Sequence, residues 1–384
     1  MDDMNLTARR QLIRLLRAGL RGEDCAPPEN CPWDGVLGLA EEQRVENLLW
    51  YALRNNKNLP RSVAGRLELA HNRAVFAAVQ IDAWLARIGE SLSRRGVAHV
   101  PLRGAVLRDS YPARDMRPMA DLDYLVRTGD YPVIRQAMEE LGGKHIHTDG
   151  GHFTFVVPPG LHVEFHPNLV YVMSPAGTQI NPGWQYVRDG RLTAEGSYLN
   201  HICHLASDLT RGGAGVRAAM DDWIFRHGPA DKPDWELVDR RLEQFGLLAF
   251  ARNLEGLADW WFGDGREAET PADLGEYLLD SGAHGTVRQA VLVESACWGG
   301  VGSVLRRIFY PMEEMRGRYP WLKERPWLLP AAWILRGAHT VRTHGPQVRS
   351  WFRSSRETDE TERRAFRRRL ERFGLLLPDK TGRR

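Results

Sequence analysis

A mixed α+β fold, with a small strand-bearing core between large N- and C-terminal helical regions, is predicted by three features of the chain. Apolar residues recur at helical spacing up to about residue 95; from Val97 short apolar runs alternate with helical segments; beyond about Tyr198 helical spacing returns. The division that follows is 1–95, 96–195 and 196–384.

In order, Leu6, Leu12, Ile13, Leu15, Leu16 and Leu20 mark a first helix, which the proline-rich CAPPENCPW interrupts. Val45, Leu48, Leu49, Ala52 and Leu53 mark a second. A longer one follows, with Phe76, Val79, Ala83, Trp84, Ile88 and Leu92 on one apolar face and Arg94, Arg95 and Gly96 closing it. Val97, Val100 and Leu102 then read as a buried strand, Arg103 and Gly104 open a short helix, and DLDYLV is the next strand. Asp130 is placed to cap a helix whose first turn holds Pro132 and whose apolar side is Ile134, Ala137, Met138 and Leu141. The run KHIHTDGGHFTFVVPPGLHVEF reads as strand, glycine turn, strand and further strand. After Tyr198 come LNHICHLASDL, GVRAAMDDWIF, WELVDRRLEQFG and LLAFARNLEGLADWWF, then helices from Ala290 and Trp327 and an arginine-rich tail.

A chain of 384 residues, 43% hydrophobic, can bury a substantial core. With 52 Lys and Arg against 49 Asp and Glu, the net charge of +3 carries no strong nucleic-acid footprint and leaves a locally basic groove open. Cys25, Cys31, Cys203 and Cys297 are too few and too scattered for a disulfide framework or a zinc site, which favours a reducing cytoplasm. No run has the length of a signal-peptide core or a membrane span.

The candidate chemistry lies on two strands. Alternation puts Asp121 and Asp123 on one face, and gives LHVEFH an apolar face of Leu161, Val163 and Phe165 and a polar one of His162, Glu164 and His166. If the strands are neighbours, Glu164 is a third carboxylate beside the pair. Such a trio suits two-metal nucleotidyl transfer, with Mg²⁺ the fitting ion and Mn²⁺ the alternative, and Glu164 is assigned to the nucleophile side. Arg103 and the backbone of Gly104 and Ala105 are placed to bind phosphate, and Arg117 either adds a phosphate contact or braces Asp121. The histidines, including His145, His147 and His152, invite a zinc reading, but hydrogen bonding to a carboxylate is the simpler role. His204 and Asp208, four apart on a helix, can face the site together. Trp223, Trp260, Trp261, Trp298, Trp321 and Trp327 read as packing residues.

The stretch PLRGAVLRDSYPARDMRPMADLDYLV resembles the signature of an uncharacterised bacterial nucleotidyltransferase family of the DNA polymerase β-like superfamily: Lys-Gly, Tyr-Pro, Arg, then Asp-hydrophobic-Asp-Leu-Leu-Val. The likeness continues through VEFH, HLASDLTRGGAGVRAAMDDWIF and FYPMEEMRGRYPWLKERPWLLPAAWILRG, from about Val45 to Arg336. It implies a small mixed sheet, Mg²⁺ dependence and transfer of a nucleoside monophosphate from an NTP to a hydroxyl or phosphate acceptor, with release of pyrophosphate. Asp121, Asp123 and Glu164 match its metal-binding acids, and Arg103 with Gly104 its phosphate turn. His204, Arg217 and Asp221 match polar positions of its helical region, and with His166 and Asp208 they are assigned to the acceptor pocket. Arg103 stands where the family has lysine, Ala105 where the superfamily commonly has serine, and Asp208 where the family often has histidine. The acceptor class expected is a small molecule, sugar phosphate or modified peptide ahead of RNA, with no membrane partner. The rival readings are a tRNA-modifying toxin and a catalytically degenerate nucleotide-binding protein.

Overall fold

The computed structural model describes residues 3–149, 152–171, 174, 176–264, 272–283, 285–298, 302, 305, 308–310 and 312–375. Four helices open it: α1 (Asp3–Arg21), α2 (Trp33–Glu42), α3 (Glu46–Leu53) and α4 (Arg61–Arg94). In α1 the side chains of Leu12, Leu15, Leu16 and Leu20 are buried, a stripe at helical spacing on which α3 packs. The 34 residues of α4 reach roughly 50 Å at about 1.5 Å per residue. Val63 and Leu67 near its start enter one core, and Ile81, Trp84, Ile88 and Leu92 near its end enter another. Phe76 and Val79, expected on that buried face, are 64% and 62% exposed. They fall on the stretch between Leu67 and Ile81, where no residue of α4 is buried, because neither core reaches it.

The sheet follows: β1 (His99–Pro101), the one-turn helix α5 (Gly104–Leu107), β2 (Asp121–Val126), α6 (Tyr131–Glu140), β3 (Lys144–Asp149), β4 (His152–Val157) and β5 (Leu161–His166). Its spatial order is β1-β2-β5-β4-β3, with β2 and β5 parallel and the other neighbours antiparallel. The mixed sheet is as the sequence implies. The glycine pair expected to turn β3 into β4, residues 150 and 151, lies outside the described residues, as do the side chains of His147, Cys297 and Trp298. Pro132 is in the first turn of α6, but Asp130 makes no side-chain cap; it closes a preceding 3-10 turn in helical conformation, so its carboxylate does not address the free amides.

Alternation along β2 sends its residues into two different cores. Leu122, Tyr124 and Val126 join Val163 and Phe165 over α4 and over Ile134, Ala137 and Met138 of α6. Leu125, with Val100 and Leu102 of the β1 segment, faces a larger core built from α1–α3 and the helices that follow the sheet. Those helices are the four-residue α7 (Gly177–Ile180), α8 (Ala194–Leu209), α9 (Arg217–His227), α10 (Trp235–Phe245), α11 (Leu248–Phe262), α12 (Ala272–Ser281) and α13 (Val287–Trp298), preceded at α8 by the small hairpin β6 (Val187–Arg188) and β7 (Arg191–Leu192). Thr193 and Asp234 cap α8 and α10 through their side chains. The face of the sheet that carries Asp121, Asp123 and Leu125 therefore looks toward the helical region.

The arginine-rich tail forms a helix, Glu360–Arg372, whose Phe366 and Leu370 are buried. Arg364, Arg367 and Arg369 pair with Glu360, Glu371 and Asp273, so much of that positive charge is met within the fold. Trp261 is buried as expected of a packing residue, whereas Trp327 is 70% exposed, because it sits in a short 3-10 turn with no buried member. Cys25, Cys31 and Cys203 are buried free thiols. No described helix is long and apolar enough to cross a membrane.

Candidate active site

The parallel register of β2 and β5 sets Asp121 opposite His162, Asp123 opposite Glu164 and Leu125 opposite His166. Paired positions share a face, so the two aspartates, Glu164 and His166 converge on the side that looks toward the helices. Asp123 is the centre of the group and is 5% exposed. Arg103 Nη1 donates to its Oδ2 at 2.9 Å, and His166 Nε2 meets its Oδ1 at 2.9 Å. The same His166 nitrogen lies 3.3 Å from Glu164 Oε2. Ionised carboxylates only accept, so this His166 nitrogen carries the proton.

The electrostatics follow from these contacts. Burial opposes ionisation of Asp123, but Arg103 and the His166 hydrogen bond outweigh it and hold the carboxyl well below the usual range. Glu164 is lowered by its hydrogen bond from His166 against the effect of burial. Burial, then repulsion from Asp123 and also Glu164, pushes Asp121 up. For His166 burial works downward, and the bonds to Asp123 and Glu164 prevail and raise it. Ligand atoms of Asp123, Glu164 and His166 all lie within 4.8 Å of one another. Two carboxylates gathered this closely, with an imidazole that can join them once its Nε2 gives up the proton, fit a divalent cation; the oxygens suit Mg²⁺ or Mn²⁺. Asp121 shares the face but not this tight cluster. His166, assigned from the sequence to the acceptor pocket, instead joins the acids, in the carboxylate-bonding role expected of a strand histidine.

Arg103 adopts φ +53° and ψ −123°, a conformation that L side chains rarely take. The turn aims its guanidinium back at Asp123. Its Nε is buried without a partner. Gly104 follows with Met119 packed on it: a Cβ there would sit 3.1 Å from the Met119 Cγ and Sδ. The expected phosphate cradle is modest, since α5 has only four residues and its peptide dipoles sum to little. Ala105, expected to contribute to the phosphate turn, puts its side chain into the core beneath the sheet, and its amide already donates to the Leu102 carbonyl.

Arg117, expected to contact phosphate or brace Asp121, makes its hydrogen bonds to Asp221 and the Pro118 carbonyl and acts on Asp121 only through its charge. Its Nε and Nη2 donate to Asp221 at 2.7 and 2.8 Å, and Tyr111 Oη donates to the same carboxylate at 2.5 Å. This buried knot ties the loop before β2 to α9. Asp115 does the same on the other side, accepting from Tyr51 Oη at 3.0 Å while Asn47 donates to its carbonyl at 2.6 Å. Arg217, the first residue of α9, donates to the Pro118 carbonyl at 2.9 Å. His204 Nδ1 lies 3.1 Å from Asp208 Oδ2 along α8.

A cleft of about 530 Å³ lies between the sheet and these helices. Its wall includes Asp121, Asp123, Arg103, Gly104 and Arg117 from the sheet side, and His204, Asp208, Arg217 and Asp221 from α8 and α9. Glu164, His166 and Ala105 do not line it. Among the lining residues not singled out from the sequence are Arg44, from the turn between α2 and α3, and His201, whose Nε2 is buried without a partner; the exposed Arg191 and Asp231 are others. His201 stands one helical turn before His204 and was legible by that spacing; nothing local marks Arg44.

A family model described as an uncharacterised nucleotidyltransferase matches residues 29–263, well over half of the chain and all of the sheet. No curated protein and no solved structure matches.

Proposed function

This chain belongs to the uncharacterised nucleotidyltransferase family, and from that premise we propose that it transfers a nucleoside monophosphate from an NTP to a hydroxyl or phosphate acceptor in a divalent-cation-dependent reaction. The observation that carries the reading is the register of β2 against β5, which brings Glu164 beside Asp123 across some forty residues of sequence. Asp123 and Glu164, with Asp121 on the same face and His166 between them, would hold the metal, which supplies charge neutralisation at the triphosphate and activation of the attacking oxygen. In the transfer the acceptor oxygen bonds to the α-phosphorus, the α–β bridging bond breaks, and pyrophosphate leaves. Glu164, expected on the nucleophile side, stands off the cleft wall and would act through the metal, so the acceptor's proton would pass to Asp121, which lines the cleft and whose carboxyl is pushed up by burial and by Asp123. Arg103 and the close backbone at Gly104 receive the triphosphate, and the wall of α8 and α9 receives the acceptor. A small molecule, a sugar phosphate or a modified peptide fits a cleft of about 530 Å³ better than a folded RNA does.

The test is labelled NTP with Mg²⁺ or Mn²⁺ and a panel of acceptors, with D121N and D123N beside the wild type. Pyrophosphate release that falls at least a hundredfold in both variants supports the reading; turnover indifferent to both refutes it. The contact of Arg103 and His166 with both oxygens of Asp123 favours a second reading, a nucleotide-binding protein without turnover. NTP binding by calorimetry with no pyrophosphate released under any acceptor would select it.

A further inference from the structure

The charged groups along the cleft are unevenly matched. Arg103 has Asp123, Arg117 has Asp221 and His204 has Asp208. Among the described residues Arg217 has no carboxylate partner, and its hydrogen bond is to the Pro118 carbonyl. The carboxylate nearest in its surroundings, Asp221, already accepts from two nitrogens of Arg117 and from Tyr111. Arg44 lines the same cleft, on the turn whose Gln43 side chain accepts from the Val216 amide next to Arg217, and it forms no ion pair among the described residues either. The leading electrostatic neighbours of Arg217 are Arg117, Asp221, Tyr111 and Arg44, and burial together with the two arginines holds its guanidinium down at about 10. A mostly buried guanidinium in surroundings of net positive charge is costly unless something anionic completes it.

We infer that Arg217 and Arg44 form the binding site for an oxyanion of the acceptor, a phosphate or carboxylate, so that the acceptor is an anionic molecule. The inference rests on the nucleotidyltransferase reading above. The donor triphosphate has its own place on the sheet side, at Arg103 and Gly104 beside Asp121 and Asp123, whereas Arg217 is carried by α9 and Arg44 by the turn after α2. An anion held there would be gripped by planar, multi-donor guanidinium groups, which suit phosphate and carboxylate oxygens in pairs. It would also fix the acceptor across the cleft from the metal-binding acids.

The test is calorimetry on the full chain saturated with Mg²⁺ and a non-hydrolysable α,β-methylene NTP, titrated with inorganic phosphate and separately with acetate. One of the two anions is expected to bind the loaded protein, phosphate marking a phosphorylated acceptor and acetate a carboxylate. R217Q should weaken that binding tenfold or more and R44Q several-fold, while the affinity for the analogue changes less than twofold. R44Q changes an exposed side chain and carries the test should R217Q fail to fold. Absence of anion binding to the loaded protein, or binding that both variants leave intact, overturns the assignment. Competition between anion and analogue overturns it too, because the arginines then hold the donor. Failure of the analogue itself to bind overturns the nucleotidyltransferase reading and the acceptor assignment with it; an analogue that binds without any anion beside it overturns the acceptor assignment alone.

Discussion

Replacing Asp221 by Asn separates the structural use of Arg117 from a phosphate-binding one. The carboxylate is 5% exposed and accepts from Arg117 Nε at 2.7 Å, Arg117 Nη2 at 2.8 Å and Tyr111 Oη at 2.5 Å. Asn keeps the shape and removes the charge. Arg117 cannot shed its proton, so D221N leaves a buried guanidinium without a hydrogen-bonded counter-charge, Asp121 being its remaining acidic neighbour. Removing one partner of a buried pair costs about 3–5 kcal/mol, against a typical total stability of roughly 5–15 kcal/mol. Urea unfolding followed by circular dichroism should show a midpoint lowered by that loss divided by the slope, with the slope unchanged. Changing both partners, R117M with D221L, should recover most of the loss, since no unpaired charge remains. A loss in D221N below about 1 kcal/mol, the level of an exposed pair, would refute the reasoning and return Arg117 to the list of phosphate ligands.

Two further outcomes follow from the site. His201 is held down at about 4, chiefly by burial; its folded value lies below its unfolded one, so stability falls as pH drops from about 6.5 toward 4, by on the order of 3 kcal/mol at about 1.4 kcal/mol per unit. Asp222, pushed up to about 6 by burial, acts the other way: its contribution is complete below about 4 and is lost as pH rises through 6. Unfolding curves at pH 7 and pH 4.5 should therefore differ less in H201Q than in the wild type, and an equal difference would discount the burial of His201. R103M frees Asp123 Oδ2 from its cationic partner, so Mn²⁺ affinity without nucleotide, read by electron paramagnetic resonance, should rise several-fold while NTP affinity falls; unchanged Mn²⁺ binding would show that Arg103 does not compete with a metal.

The sequence by itself determined which residues share a face. The alternation in DLDYLV and LHVEFH places Asp121 with Asp123 and Glu164 with His166, because side-chain direction along a strand is set by the local backbone. It determined the helices too, through apolar spacing that α1, α4 and α8 realise, and the order of helical, mixed and helical segments. Which strand lies beside which was open: β5 could have paired at an edge, and only the parallel register with β2 makes Glu164 a neighbour of Asp123. The choice of ion-pair partners was equally open. Arg117 and Asp221 stand 104 residues apart, and no local pattern distinguishes that pairing from a bond to phosphate or to Asp121. The exposure of Phe76 and Val79 depends on where the two cores end along α4, and the inward turn of Ala105 on the strained backbone at Arg103. Periodicity is a property of neighbouring residues; pairing, register and the matching of buried charges are settled only when distant segments compete for the same partners in three dimensions.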